Sequence, residues 1–584
     1  MAFQDFDVIQ QRRENERKQK LKKRITIGIV SSIVLVGMVG AVVCAFVQYG
    51  NGASKGNKSP GSRGTPVVTA EKAVKSMCIP TEFKQTCESS LSKAIESKVA
   101  TTTQPKDLFK ALMVVAANEV GKAIDQLKTL KFETPEKKAA FDDCMTLLGD
   151  AQEELNASVS LVDKKDFKGI YDLKPDINNH LSAVLSYQET CIDGIPDGEE
   201  KVAVGKALVT PKELSSISLS IVSAISSILK VFGGAAYGKR NLLSTKEDEL
   251  PSWISNEERR ILKADTPSHA PNVVVAKDGS GNFTTVNEAL AAMPPQYEGR
   301  YVIYVKEGVY EENVIITKKM VNVTVFGDGS QKSIITGTKN FADGVPTYQT
   351  ATFAAIGEGF MAQSIGFRNT AGADKLQAVA LRVQSDRSIF LNCRIEGFQS
   401  ALYAQTHRQL YRSSYITGTI DIIFGDASAV FQNCLIYVRK PMENQQNTVT
   451  SQGRVDKNED TGFVIQNSRI LPEDKLEPEK ATIKSYLGRP SKLYSRTIIM
   501  ETEIADFISP EGWLPYNGDF ALNTLYYAEY NNKGTGAPVE GRVKWAGLKM
   551  IKKEEALQFT LSRFLQGELW LKDRDVPVRY TLFT

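Results

Sequence analysis

Three kinds of apolar patterning divide this chain. The first is an unbroken run from Ile25 to Val47 that carries no charge. At about 1.5 Å per residue its roughly 23 residues are long enough to cross a bilayer. It is too long for a typical signal-peptide core, and no clean small-x-small cleavage site follows it, although a long cleaved signal stays open as the alternative. The stretch Arg12 to Arg24, dense in Lys and Arg, precedes it, so the positive-inside rule predicts a single-pass signal anchor with a cytosolic N-terminus. Everything after Gln48 then faces the secretory lumen or the exterior.

The second pattern has helical period. Apolar residues recur at three-to-four spacing through Leu108 to Leu130, Phe141 to Leu161, Ile177 to Ile192 and Leu214 to Leu229. Thr134-Pro135 and Thr210-Pro211 each set a capping hydroxyl before a proline suited to the first helical position, and Glu213 completes a capping box with Thr210. Four long helices with short connections predict an all-α four-helix up-down bundle over residues 71–231.

From Val273 onward the runs become short and rich in β-formers, and they repeat. Phe390-Leu391-Asn392-Cys393-Arg394-Ile395 returns as Phe431-Gln432-Asn433-Cys434-Leu435-Ile436 and again as Ile465-Gln466-Asn467-Ser468-Arg469-Ile470. Ile499 to Ile504 is a faded fourth copy, and Phe367-Arg368-Asn369 a partial earlier one. In-phase recurrence of apolar and Asn positions predicts a solenoid whose rungs stack like residues, an all-β right-handed parallel β-helix over residues 271–584 with Phe and Ile stacked inward.

The remaining segments are connectors. Residues 1–24 form a basic cytosolic tail, 25–47 the membrane helix, and 48–70 a tether rich in Gly, Ser, Lys and Asn. Gly52-Ala53-Ser54-Lys55-Gly56 in that tether has the spacing of a hydrolase elbow, but no strand precedes it and no helix follows, so it is a chance match. Residues 232–270 carry two basic pairs, Lys239-Arg240 and Arg259-Arg260, in an exposed linker of the kind that proteases cut.

Composition and charge mainly exclude. A 584-residue chain with 42% apolar and 24% charged residues is ordinary globular material, too long for a single core. Its net charge of +4 comes without an aromatic-interleaved basic patch, which argues against nucleic acid. Of seven cysteines, Cys44 lies in the apolar run; Cys78, Cys87, Cys144 and Cys191 fall in one region and are expected to pair among themselves. Sequons at Asn57, Asn156, Asn282 and Asn322 agree with secretion. The three histidines, His180, His269 and His407, are scattered, so a serine triad would have to use His407 and no metal site can be assembled.

Carboxylates, amides and arginine remain as candidate chemistry. Asp421 lies in Gly418-Thr419-Ile420-Asp421-Ile422-Ile423-Phe424-Gly425, where one acid among isoleucines is either a nucleophile or a buried structural charge. Around it stand, in order, Gly279 to Phe283, Tyr301 to Gly308, Gln377 to Leu381, Gly397 to Tyr403, Tyr486-Leu487-Gly488-Arg489-Pro490, Gly512-Trp513-Leu514, Tyr526 to Tyr530 and Phe564 to Gly567.

This ordered set resembles the plant pectin methylesterases from Val273 to the C-terminus. The resemblance implies hydrolysis of galacturonate methyl esters of homogalacturonan to pectate and methanol, with no metal or organic cofactor. It casts Asp421 as nucleophile, Arg489 as the group that keeps Asp421 ionised and aimed, Gln377 and Gln399 as oxyanion donors, and Thr347, Gln377 and Arg489 as substrate contacts.

Three residues depart from that family's pattern. Ser400 stands where an aspartate donates the proton, Ser491 where a tryptophan follows Arg-Pro, and Ser414 where a cysteine would pair with Cys434. Cys78 and Cys87, with Asp143-Cys144 and Thr190-Cys191, make the helical part similar to the pectin methylesterase inhibitor fold, and Arg259-Arg260-Ile261-Leu262 looks like that family's release signal. Arg240-Asn241-Leu242-Leu243 is a weaker version. The expectation is therefore a membrane-anchored pectinesterase with an inhibitor-like pro-domain, reaching the cell wall after cleavage, its catalysis impaired by Ser400. The alternatives are an inactive pectin-binding homologue and an inhibitor of other pectinesterases in trans.

Overall fold

The computed structural model describes residues 69–165, 169–231, 271–571 and 576–583. The expected membrane helix, the linker and the tether up to residue 68, with Asn57, His269 and both basic pairs, lie outside the described residues. Among the described residues, no helix is long and apolar enough to cross a membrane.

Eight helices form the first part among the described residues: α1 (Ala70–Cys78), α2 (Lys84–Glu96), α3 (Pro105–Leu127), α4 (Pro135–Asp163), α5 (Lys174–Gly194), α6 (Glu199–Ala207), α7 (Val209–Ser223) and α8 (Ile225–Val231). The four long periodic stretches are found in α3, α4, α5 and the α7–α8 pair, and shorter helices join them, so the simple four-helix picture is too spare. Thr134 caps α4 as its Thr-Pro pair predicts, its hydroxyl accepting from the Lys137 N–H. Thr210 does not cap. The helix begins two residues earlier, with Leu208 at the cap position, because α6 runs through Leu208 almost directly into α7 and the Lys212 N–H bonds the Leu208 carbonyl. Glu213 is thereby freed to accept from the Thr86 hydroxyl of α2 at 2.6 Å. Disulfides join Cys78 to Cys87 and Cys144 to Cys191, the second tying α4 to α5. A separate apolar core, including Leu112, Leu148, Leu185 and Ile221, sits inside these helices.

The second part is three parallel sheets of eleven, eight and seven strands, the successive strands of each rung going to different sheets. The repeat is a rung register: Phe390 pairs with Tyr411, Tyr411 with Phe431, Phe431 with Ile465 and Ile465 with Ile499. The rings of Phe390, Tyr411 and Phe431 stack inside the coil at 4.9 and 4.6 Å. The repeating Asn has a backbone cause. Asn392, Ser413, Asn433, Asn467, Glu501 and Asn531 all turn the corner after these strands with positive φ, a conformation that Asn tolerates better than most side chains. Behind that corner Cys393 and Cys434 are buried free thiols, each pushed up to about 12 by burial. Ser414 lies on the rung between them, and its hydroxyl accepts the Cys393 N–H and bonds the Phe390 carbonyl.

The helices pack on the solenoid along the seven-stranded sheet, which runs from Val314–Ile316 through Leu381–Val383, Leu402–Ala404 and Ile423–Gly425 to Ser485–Gly488. Helices α4, α5 and α7 make the contact, α7 through Ser216 to Asp456 and Ser220 to Asn458. Asp143 accepts from Gln349, Thr190 meets the Tyr403 hydroxyl at 3.3 Å, Ser186 donates to the Gln405 carbonyl, and Asn179 meets His407.

Candidate active site

The seven-stranded sheet builds a column of side chains at its entry edge. Leu381, Leu402, Ile423 and Thr450 are in register. Two positions earlier on each rung lie Val379, Ser400, Asp421 and Thr448 in turn. Ser400 and Asp421 are therefore neighbours on adjacent rungs, and both have positive φ, 61° and 50°. Ile422 and Ile423 point into the core and are fully buried, whereas the Asp421 side chain keeps 14% exposure. The isoleucines flank the acid without enclosing it.

Asp421 is fixed from two sides. Arg489 Nε donates to Oδ1 at 2.8 Å and a terminal nitrogen donates to Oδ2 at 2.7 Å, a parallel two-point grip. The Thr448 hydroxyl donates to Oδ1 and accepts the Asp421 N–H, both at 2.8 Å. Burial lowers the basicity of the Arg489 guanidinium, but the bonded carboxylate outweighs it and the pKa is raised. Gly488 makes Arg489's approach possible: a Cβ there would meet Thr450 Oγ1 at 2.1 Å. The same Cβ would also crowd Trp513, which packs on Tyr527 with its ring 4.3 Å from that of Tyr527.

The remaining predicted residues surround this pair. Ser400 is buried and its N–H bonds the Ile420 carbonyl of the next rung. Gln399 and Gln377 are half-buried at the same entry edge, and the side-chain oxygen of Gln377 is buried without a partner. Thr347 opens a short 3-10 turn that carries Tyr348 and Gln349 toward the helices. Ser491 is half-buried beside Lys492. Asn156 and Asn282 are exposed and Asn322 is half-buried.

Sequence reading missed Thr448, the stacked pair Tyr403 and Phe424 at 4.2 Å, and exposed Tyr516, whose ring lies 5.0 Å from the Arg489 guanidinium. It also treated His407 only as a triad candidate. His407 instead lies under α5, its ring contacting Asn179 at 3.0 Å and Tyr187 at 3.5 Å.

A parallel β-helix carrying a guanidinium-gripped carboxylate on one sheet defines the class of scaffold. Residues 272–568 match the family described as Pectinesterase, and residues 72–221 the family described as Plant invertase/pectin methylesterase inhibitor. An Arabidopsis thaliana protein named "Probable pectinesterase/pectinesterase inhibitor 13" is 46% identical over all of both chains, and "Pectinesterase 3" of Phaseolus vulgaris is 41% identical over 90% of each. A solved structure of the pectin methylesterase from carrot covers 55% of this chain and 100% of its own, with 49% identity and a TM-score of 0.54. The chain belongs to the pectinesterase family, with an inhibitor-type helical segment ahead of the β-helix.

Proposed function

We propose that the β-helix binds methyl-esterified homogalacturonan and hydrolyses its methyl esters at a strongly reduced rate. The observation that supports this most is the Asp421–Arg489 grip beside Ser400. In this reading an Asp421 oxygen attacks the ester carbonyl, Gln377 and Gln399 donate to the developing oxyanion, and the methoxide leaving group needs a proton as the C–O bond breaks. A serine hydroxyl is too weak an acid to deliver it, so the proton comes from water, and a further water then hydrolyses the anhydride between Asp421 and the galacturonate to free both carboxylates. Loss of a general acid costs about 10²- to 10⁴-fold, roughly 3 to 5 kcal/mol of barrier. Thr347 contacts the polymer, and removal of the tryptophan platform by Ser491 weakens the hold on the ring further.

The α4–α5 face is engaged within its own chain, which favours a role in cis over inhibition of other pectinesterases. We place the N-terminal run in the membrane and the linker cut near Arg259-Arg260 before the β-helix reaches the wall; Asn57, Asn156, Asn282 and Asn322 are then lumenal.

Methanol release from methylated pectin by residues 271–584 tests the reading, with Ser400→Asp as the restoring change. The positive φ at Ser400 favours the restoration, since Asp accepts that backbone better than Ser. A gain of about 100-fold or more is expected. Full turnover by the unaltered protein, comparable to that of the Ser400→Asp variant, would refute it.

A further inference from the structure

The outer face of the eleven-stranded sheet is closed by the end of the chain. Met361, Ile389, Leu410, Val430, Val464 and Ile498 are in register there, buried in one apolar cluster with Trp570, Val576 and Leu582. Residues 576–583 cross these strands without joining the sheet, and alternate residues are held by side chains from successive rungs. Arg412 donates to the Pro577 carbonyl. Gln432 donates to the Arg579 carbonyl and accepts the Arg579 N–H, both at 2.8 Å. Gln466 donates to the Thr581 carbonyl at 3.2 Å, and Glu501 accepts the Phe583 N–H on its two oxygens at 2.8 and 3.0 Å. Arg412, Gln432 and Gln466 are in register, and Glu501 follows Met500 on the next rung.

The gripped rungs are the ones that carry the site. Followed along the chain, the rung of Ser400 runs on to Arg412, that of Asp421 to Gln432, that of Thr448 to Gln466 and that of Arg489 to Glu501. The Arg489–Asp421 grip spans two steps of the ladder, about 10 Å at the usual strand spacing, so it depends on the separation of three rungs. These rungs are also the least confined by their own connections. Gln432 bonds Gln466 across 34 residues of chain and Gln466 bonds Glu501 across 35, whereas Arg412 meets the Gln432 carbonyl across 20. A longer connection leaves its ends freer, so an added tie between the rungs counts for more there. One apolar core holding Ile423, Phe431, Ile465 and Leu487 lies between the strapped sheet and the site, and a close-packed interior passes on small displacements.

We propose that the C-terminal strap, residues 576–583, is a positioning element of the active site: stapling four rungs from outside, it sets the spacing at which Arg489 and Thr448 together hold Asp421. The idea rests on the pectinesterase reading above and adds to it a peptide-binding track, formed by Arg412, Gln432, Gln466 and Glu501, whose ligand is the end of this chain. With the strap detached the β-helix stays coiled, but the rungs of Asp421 and Arg489 drift and the planar fork no longer meets both carboxylate oxygens at once.

Amide hydrogen exchange on the full chain, read by mass spectrometry, tests this without reference to turnover. In a chain ending at Leu571, Ile423–Gly425 and Ser485–Gly488 of the seven-stranded sheet are expected to exchange about tenfold faster, while Val314–Ile316, on a rung beyond the strap, keeps its protection. A synthetic peptide of residues 576–583 should restore the protection, and the same peptide with Val578 and Leu582 replaced by Ser should not. In residues 271–584 carrying Ser400→Asp, loss of the strap should lower kcat about 10- to 100-fold with KM little changed, and the peptide should restore it. Melting curves check folding. Should the shortened chain not fold, Arg579→Pro with Phe583→Pro in the intact chain removes the N–H groups held by Gln432 and Glu501 and carries the same comparison. Faster exchange confined to the eleven-stranded sheet, or spread evenly over all strands, would overturn the proposal and leave the strap a mere cover. So would an unaltered kcat in an active Ser400→Asp segment. A Ser400→Asp segment that releases no methanol would overturn the substrate reading instead, and the exchange pattern would still decide on the strap.

Discussion

The Thr448 hydroxyl and Asp421 hold each other in both directions, the hydroxyl accepting the Asp421 backbone N–H and donating to its carboxylate, each at 2.8 Å. One side chain thus fixes both the positive-φ backbone of Asp421 and one of its oxygens. Replacing Thr448 by Val keeps the shape and removes both bonds, leaving a part-buried N–H without its acceptor. Chemical denaturation should give a loss of about 1–3 kcal/mol. Thr448→Ser should restore most of it, and an equal loss in the Ser and Val variants would show that the methyl group, not the hydroxyl, matters.

Arg489 offers Asp421 a planar fork, which lysine cannot copy. In the Ser400→Asp background, where turnover is high enough to follow, Arg489→Lys keeps the charge and loses one of the two bonds. A charge-assisted bond is worth about 1.5–3 kcal/mol, so methanol release should fall about 10- to 100-fold, mainly in kcat. An effect confined to KM would assign Arg489 to substrate binding instead.

How much of this was legible follows from where the register is regular. Asn392, Asn433 and Asn467 announced the solenoid because one backbone corner demands the same residue on several rungs. The rung of Tyr411 was hidden, since Ser413 and Ser414 replace the Asn and Cys that mark its neighbours, although Tyr411 stacks with Phe390 and Phe431. Thr448 was hidden for another reason: the loop after Leu435–Val438 lengthens its rung, so it follows Asp421 by 27 residues where Leu402 to Ile423 spans 21. Asp421 and Arg489 were found through motif order, and their contact over 68 residues of chain was not readable from spacing. Cations such as Lys318, which meets Asp150, Glu153 and Glu154, and Lys492, which meets Glu189 and Asp193, have no local signal at all, because the acids come from a different part of the chain.

Behind the site, Trp513 is pinned by charge. Arg542 Nε donates to Glu529 Oε1 at 2.8 Å, Trp513 Nε1 donates to the same oxygen at 3.1 Å, and both charged side chains are 2% exposed. Removing one member strands the other, at a cost of about 3–5 kcal/mol. Arg542→Met should therefore lower the stability of the β-helix by that amount in denaturant titration and change the fluorescence of Trp513. Arg542→Met combined with Glu529→Leu should recover much of the loss, since two apolar groups leave no unpaired charge. A double variant no more stable than the single one would mean that packing around the guanidinium, not its charge, carries the effect.

A second buried charge cluster lies where α4 and α5 meet the solenoid. His180 Nδ1 contacts Glu154 at 2.5 Å, Lys318 reaches the other Glu154 oxygen at 3.3 Å, and His407 Nε2 lies 3.7 Å from that oxygen, with Asp386 and Arg408 acting on His180 through space. Burial lowers the His180 pKa, but the bonded Glu154 outweighs it and the net shift is upward from 6.5. Burial raises the Glu154 pKa, but His407 and His180 outweigh it and the net shift is downward from 4.5. The His180 contribution to folding is therefore complete below about 6.5 and is lost as pH rises through its higher folded value. The Glu154 contribution is present above about 4.5 and is lost as pH falls through its lower folded value. Asp143, pushed up to about 6 by burial, has largely ionised before the alkaline limb begins. Burial pushes Asp426 up to about 7 and Glu459 well above 4.5, and both add to the decline as they ionise. The melting temperature should thus decline as pH rises above 6.5, and His180→Gln, which retains a donor for Glu154, should make that limb shallower while lowering the value at pH 6. An alkaline limb unchanged in the variant would place the titrating group elsewhere.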